Sequence, residues 1–156
     1  MAAAEAVLSE GVRRFPSHPW VRLQHAEVAS QAEKWEEALK RWEQFAVDFP
    51  SMPDGFFRSA SAALKLGRTD KDGFAIAQDA LARWPGSEMA LSLLPAIESV
   101  ATAALMRGDE MMAEQLVLAG VALFPESPSL ALRYGGLAAQ RDDWVEARAR
   151  FLSALE

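Results

Sequence analysis

Few side chains in this sequence have types and spacings suited to chemistry. His18 and His25 are its two histidines, and with Glu27 they come nearest to a metal-ligand set. Seven positions amount to two turns of helix, but Pro19 intervenes, and Glu27 falls on another face than His25. The pair therefore reads as a surface-loop histidine and a partly packed one, and no metal site is expected. Carboxylates are grouped at Asp70/Asp72, Asp109/Glu110 and Asp142/Asp143. Glycoside hydrolysis by paired carboxylates needs an enclosed cleft and one raised pKa, and nothing in the pattern marks such a cleft. Each group falls instead where a helix should start, and acidic side chains there favour the positive helix end. Glu36–Lys40 and Glu37–Arg41 have the i,i+4 spacing of ion pairs on a solvated helix face. Zero Cys removes disulfides, thiolate catalysis and Cys-based zinc sites together. There is no Gly-rich phosphate loop, nucleophile elbow or zincin motif. The expectation is a chain with no catalytic residue and no cofactor.

Composition narrows the partners. A net charge of −6, with no basic run longer than Arg13-Arg14, argues against nucleic acid, which demands clustered Lys and Arg. Hydrophobic residues make up 51% of the chain. The most apolar stretch, 90–106, is interrupted by Pro95 and Glu98 and falls short of the ~20 apolar residues that span a bilayer. No membrane insertion is expected. The lack of Cys leaves the compartment open, with the cytoplasm slightly favoured.

The elements come from an internal repeat. Aromatic-Pro pairs recur at Phe15-Pro16, Phe49-Pro50, Trp84-Pro85 and Phe124-Pro125, with proline spacings of 34, 35 and 40. A second proline follows each, at Pro19, Pro53, Pro95 and Pro128. From the second proline to the next aromatic-Pro proline the counts are 31, 32 and 30, so the repeat body is nearly constant. The excess of the third interval is an insertion over 86–94. Proline is tolerated at the first helical position and stops a helix when it follows one. First helices are thus predicted at 19–31, 53–66, within 87–107, and at 128–140. Second helices are predicted at 35–49, 70–84, 109–124 and 144–155. Their turns, 32–34, 67–69, Gly108 and 141–143, are short enough to force antiparallel neighbours. No segment has the period-two pattern of a strand.

These residues resemble the tetratricopeptide repeat family. Trp35-Glu-Glu-Ala38-Leu39, Trp42 and Pro50 match its second-helix signature of aromatic, small residue, aromatic and closing proline. Arg107-Gly108-Asp109 with Ala113 and Pro125 matches again, and Trp144, Ala147, Phe151, Ala154 and Leu155 match a third time. Tyr134-Gly135 stands where the family usually carries Leu-Gly. Small residues at Ala26, Ala38, Ala80, Ala113, Gly135 and Ala147 would let helices approach, with aromatics filling the gaps beside them. The departures are a displaced Gly67 with a longer turn, Gly73 inside a helix, and His25 at a usually apolar position. The resemblance implies an all-α, right-handed α-solenoid of stacked antiparallel helix pairs, about nine helices in one domain. Residues 1–16 would be the second helix of a truncated repeat. Repeats would follow at 17–51, 52–86 and 87–126, and a truncated one at 127–156. The ends read as cut in mid-repeat from a longer array.

The family's first helices line a concave face that takes an extended peptide or a partner helix. The resemblance places Trp20, Leu23, Glu27 and Gln31 on that face, then Arg58, Ala62 and Lys65, then Glu98, Thr102 and Leu105, then Leu132, Gly136 and Gln140. A non-catalytic module binding a protein or peptide partner is the leading expectation, with an acidic tail disfavoured because Lys, Arg and Asn are not clustered there. Trp20 reads either as an exposed hot spot or as a hydrophobic staple at the helix entry. Trp35, Trp42, Trp84 and Trp144 recur at repeat positions and read as core. Met89, Leu91, Leu93 and Leu94, with Met106, Met111 and Met112, read either as an adaptable apolar patch or as packing within a longer helix. Two alternatives stand beside the binding module. One is an appendage of a larger bacterial enzyme, since the style resembles repeats attached to glycosyltransferase or surface-polysaccharide proteins. The other is a self-assembling scaffold, a homo-oligomer through uncapped ends.

Overall fold

The computed structural model describes residues 2–68 and 73–153. Among them are nine α-helices and no strand. The helices are α1 (Ala2–Arg14), α2 (Pro19–Gln31), α3 (Trp35–Asp48), α4 (Pro53–Lys65), α5 (Phe74–Arg83), α6 (Leu93–Met106), α7 (Glu110–Leu123), α8 (Pro128–Gln140) and α9 (Trp144–Ser153). A 3-10 segment, Glu88–Ser92, precedes α6. The chain divides into two compact units, Met1–Leu93 and Leu94–Glu156.

Two local devices repeat. Each first helix ends in the same left-handed C-terminal motif. The left-handed residues are Glu33 (φ 55°), Gly67 (φ 75°), Gly108 (φ 76°) and Asp142 (φ 59°). The next residue's N–H then reaches back to the carbonyl five residues earlier: Lys34 to Ala29, Arg68 to Ala63, Asp109 to Ala104 and Asp143 to Ala138, all at 3.0–3.1 Å. These bonds satisfy carbonyls that the helix end leaves without partners. The second device is the aromatic-Pro link. A residue before proline is driven to extended backbone, and Phe49, Trp84 and Phe124 have φ between −129° and −132°. The residue three beyond each aromatic donates to its carbonyl (His18 to Phe15, Met52 to Phe49, Ser87 to Trp84, Ser127 to Phe124) at 3.0–3.2 Å. Each link is thus a β-turn with proline second.

The third link differs at one residue. Gly86 has φ +78°, where Ser17, Ser51 and Glu126 have no positive φ. The turn is therefore of the second type, which requires a residue free of a Cβ clash. Beyond it Ser87 Oγ accepts from the Met89 N–H at 3.3 Å and starts the 3-10 segment. The 86–94 insertion is thus helical from Glu88, burying Ala90 and Leu93 while Leu91 and Met106 remain exposed. Pro95 sits in the first turn of α6, where its missing N–H has no helical partner to lose. Glu88–Met106 forms 19 helical residues with mean hydropathy 1.6, long and apolar enough to cross a bilayer by length and composition. This corrects the expectation that the stretch falls short. Within it Leu93, Ala96, Ile97, Val100, Ala101 and Ala104 recur at helical spacing and are buried.

In unit 1, α1 to α5 pack as sequential neighbours, most closely at α3–α4. Trp42 and Phe45, both buried, meet edge to face at 5.8 Å, and Phe45 packs against Phe49 with tilted rings at 4.9 Å. Ala26, Ala29, Ala38, Leu39, Ala62 and Ala63 complete that core, with Leu23 and Trp35 packed on it. The Trp42 indole N–H donates to Ser30 Oγ at 2.9 Å, so the large ring is buried with its polar atom satisfied. Gly55 lets α4 approach the α3 backbone: a Cβ there would lie 2.7–2.9 Å from Ala46 N, Cα and Cβ. In unit 2, Leu116, Val117, Leu130, Leu137, Ala138 and Ala147 are buried. There Gly135 sits beneath the Phe151 ring, which a Cβ would meet at 2.3 Å. The small residues singled out in the sequence, Ala26, Ala38, Ala80, Ala113, Gly135 and Ala147, are all buried.

Trp144 departs from its expected core place: it is 65% exposed, and Val145 and Leu152 are exposed beside it. The equivalent Trp35 is covered from the following first helix, where Lys65 Nζ lies 5.7 Å from the ring centroid. Among the described residues no helix follows α9 to cover Trp144.

Candidate functional site

The first-helix residues of unit 1 converge. Glu27, Ser30 and Gln31 from α2, Trp35 at the start of α3, and Arg58, Ser61 and Ala62 from α4 line a shallow pocket of about 210 Å³. Lys65 borders it above Trp35. The register explains the meeting: Glu27 lies six residues before the left-handed Glu33, and Arg58 nine before the left-handed Gly67. Arg58 Nη1 stands 3.4 Å from Glu27 Oε2, and its guanidinium lies 5.8 Å from the Trp42 ring centroid. Gln31 Nε2 donates to Glu27 Oε1 at 3.5 Å. Leu23 was expected on this face but packs on the core, and Ala62 is buried in the pocket wall. Trp20 projects near the start of α2, 63% exposed, and is not folded down as a staple.

In unit 2 the predicted residues stand on α6 and α8. Glu98 and Thr102 lie on α6, where the Thr102 hydroxyl donates to the Glu98 carbonyl at 2.8 Å. Leu132 is 62% exposed, Gln140 is exposed, and Gly136 has open space where a Cβ would stand. Sequence reasoning missed Arg133, which donates from Nη1 to Thr102 Oγ1 at 2.9 Å. It occupies the same register as Arg58, nine before the left-handed Asp142, and Thr102 stands six before Gly108. Counting back from the helix-end turns would have found it.

A second arrangement was also missed. Arg41 of α3 donates from Nη2 to Glu5 of α1 at 2.5 Å, from Nη1 to the His25 carbonyl of α2 at 2.6 Å, and from Nε to Glu37 at 2.8 Å. Arg150 of α9 repeats this with Glu114 of α7 at 2.5 Å, the Tyr134 carbonyl of α8 at 3.2 Å and Glu146 at 2.9 Å. Each guanidinium clasps three helices. Glu37–Arg41, expected on a solvated face, is part of this clasp: the Arg41 side chain is only 15% exposed. His25 belongs to it too, with Nε2 3.3 Å from Ser9 Oγ and 3.5 Å from Glu5 Oε1. The Arg41 hydrogen bond holds the Glu5 carboxyl below its usual range, and Arg141, then Arg150, do the same for Glu114. Burial, and then the Arg41 charge, push the His25 imidazole down.

The acidic groups act at helix ends. Asp109 caps α7 by accepting from the Met112 N–H, and Asp143 accepts from the Glu146 N–H of α9, both at 3.0 Å. Asp142, expected at a helix start, is instead the left-handed residue after α8. Asp70 and Asp72 lie outside the described residues. Among the described residues no three His, Cys, Asp or Glu side chains group as metal ligands.

A tetratricopeptide repeat model matches residues 23–88, within unit 1. No curated protein matches the chain in sequence. Among solved structures, MamA (41-end) from Desulfovibrio magneticus RS-1 is 16% identical, with a TM-score of 0.64 over 99% of this chain and 83% of that one. A second MamA crystal structure is 13% identical, with a TM-score of 0.62 over 97% and 84%. YrrB, described as a TPR protein with an unusual peptide-binding site, is 16% identical, with a TM-score of 0.57 over 99% and 76%. Likeness at this identity speaks for the fold. Residues 23–88 match a tetratricopeptide repeat model, and the chain has the fold of the tetratricopeptide repeat solenoids.

Proposed function

We propose that the chain is a non-catalytic protein-binding module whose first-helix face in unit 1 receives an extended peptide or helix of a partner. The observation that carries this reading is the convergence of Glu27, Gln31, Arg58 and Ala62 on one open pocket, with Lys65 at its border. A groove of this kind offers fixed hydrogen-bonding side chains on a rigid helical floor, which lowers the ordering cost of binding. Trp20, exposed near the start of the same α2 stripe, supplies an aromatic anchor. Photo-crosslinking tests it. A photoreactive residue at Gln31 should capture a partner that the same residue at Glu43, on a second helix, does not. Capture should fall on Trp20→Ala or on filling the pocket with Ser61→Tyr, with the helical circular dichroism unchanged. Equal capture from both positions, or none lost to either change, counts against the groove.

One observation favours a second reading, assembly between copies. Trp144, Val145 and Leu152 expose an apolar face on α9. Sedimentation over a concentration series should then show association that Val145→Glu abolishes, and a monomer at every concentration excludes it.

A further inference from the structure

Counted from the left-handed residue that ends a first helix, the next helix carries an outer stripe at the third, seventh and tenth positions (for the third, 36 − 33, 111 − 108 and 145 − 142). These positions have the i, i+4, i+7 spacing of one helix face. After Glu33 the stripe on α3 is Glu36, Lys40 and Glu43, all exposed. After Gly108 the stripe on α7 is Met111, Gln115 and Leu118, and after Asp142 that on α9 is Val145, Ala149 and Leu152, again all exposed. One register is therefore charged throughout on α3 in unit 1 and uncharged throughout on both helices of unit 2. Arg150 of α9 donates to Glu114 of α7 at 2.5 Å, so the two helices are neighbours and their stripes run side by side, about 8–10 Å apart. Met111 and Leu118 lie one helix pair inside the open end marked by Trp144.

Met111, Leu118, Val145 and Leu152 are 72%, 49%, 85% and 49% exposed. Together they present about 500 Å² of apolar surface, at the upper end of what a monomer leaves in one patch. A standard interface takes about 800 Å² from each partner, and about 65% of a homodimer interface is apolar, so the patch is the size of such a core. An uncharged stripe meets its own copy without like-charge repulsion, and a two-fold contact needs only one self-complementary surface. The small Ala149 between Val145 and Leu152 leaves a hollow that a large side chain of another copy can enter. At the rim Glu110 and Glu146 are exposed together with Arg107 and Arg148, so each copy brings both signs of charge. We propose that two copies pair face to face through α7 and α9 about a two-fold axis and close a dimer. The inference rests on the assembly reading above and deepens it. Pairing on this face stops at two copies, whereas stacking through the Trp144 end would continue without limit.

Sedimentation of the intact chain over a concentration series should show a monomer passing to a dimer and nothing larger. Met111→Glu and Leu118→Glu should each raise the dimer dissociation constant about tenfold per altered side chain. A two-fold interface contains every change twice, so the whole effect is about hundredfold. Both changes place glutamate where α3 itself carries Glu36 and Glu43, so the helical circular dichroism should be unchanged. Trp144→Ala should leave the dimer intact. Because the chain has no Cys, a single Ala149→Cys should link copies through a short bismaleimide, and Lys40→Cys, at the same register of α3, should not. Species that grow beyond the dimer and vanish with Trp144→Ala but not with Leu118→Glu overturn the two-fold face while leaving assembly. A dimer indifferent to both glutamate changes, or equal linking at the two cysteines, does the same. A monomer at every concentration overturns assembly altogether and leaves the face to a different occupant.

Discussion

Replacing Gly55 by Ala should destabilise unit 1, although alanine is the better helix former. A Cβ at this position would stand 2.7 Å from Ala46 N, and ordinary contact begins at 3.4 Å, so α3 and α4 must part by about 0.7 Å. The obstacle is backbone and cannot rotate away. Overpacking of this kind costs about 1–3 kcal/mol. A gap of 0.5–1 Å also forfeits roughly a quarter to a half of each contact it opens, here along the α3–α4 seam that buries Trp42 and Phe45. Against this, alanine returns about 1 kcal/mol of helix propensity. The net expectation is a loss of about 2 kcal/mol. Gly136→Ala is the internal control, because nothing lies within 4 Å of its Cβ, and it should gain about 0.5–1 kcal/mol. Native-state hydrogen exchange reads both locally: amides of α3 and α4 should exchange about thirtyfold faster in Gly55→Ala, and those of α8 slower in Gly136→Ala. If both variants shift the same way, close backbone approach at Gly55 is not what holds this interface.

Three further outcomes follow from the geometry. Arg41→Met removes three acceptor contacts of a side chain only 15% exposed, and should cost about 1–2 kcal/mol in urea unfolding; the loss should shrink in a Glu5→Gln background. His25, whose folded pKa lies below 6.5, faces Glu5, Ser9, Arg22, Glu37 and Arg41. The unfolded chain therefore binds more protons between the folded value and 6.5, so stability should fall as pH drops through that window. His25→Tyr, the residue at the equivalent Tyr134, should remove that part of the slope, leaving the loss at lower pH as Glu5 protonates. Glu33→Gly should stabilise by about 0.5–1 kcal/mol, since φ 55° strains a side chain that glycine lacks; a destabilised variant in thermal melts would contradict the strain.

Proline and the residues after each first helix made the helix pairs legible in the sequence, because those signals are local. Pro19, Pro53 and Pro128 each open a helix. The structure departs from the repeat where a local signal was ambiguous. Gly86 looks like any turn residue, yet its positive φ changes the type of the link and leads into the 3-10 segment. The Glu5–Arg41 and Glu114–Arg150 clasps were hidden because their partners are 36 residues apart, and their registration needs the exact turn positions. Trp144 was misread because burial is decided by what packs on a helix, not by its own sequence. Glu27 and Arg58 were legible as two positions on one face, whereas the ion pair between them was not.

The clasps bear on behaviour in concentrated electrolyte. The Arg41 and Arg150 side chains are only 15% and 10% exposed, unlike the half-exposed Arg83–Asp79 pair on α5. Counter-ions reach the latter freely and the former poorly. Added salt should therefore erase Arg83–Asp79 while α1 stays fastened in unit 1 and α9 in unit 2, so both helices resist fraying under conditions that strip ordinary surface ion pairs.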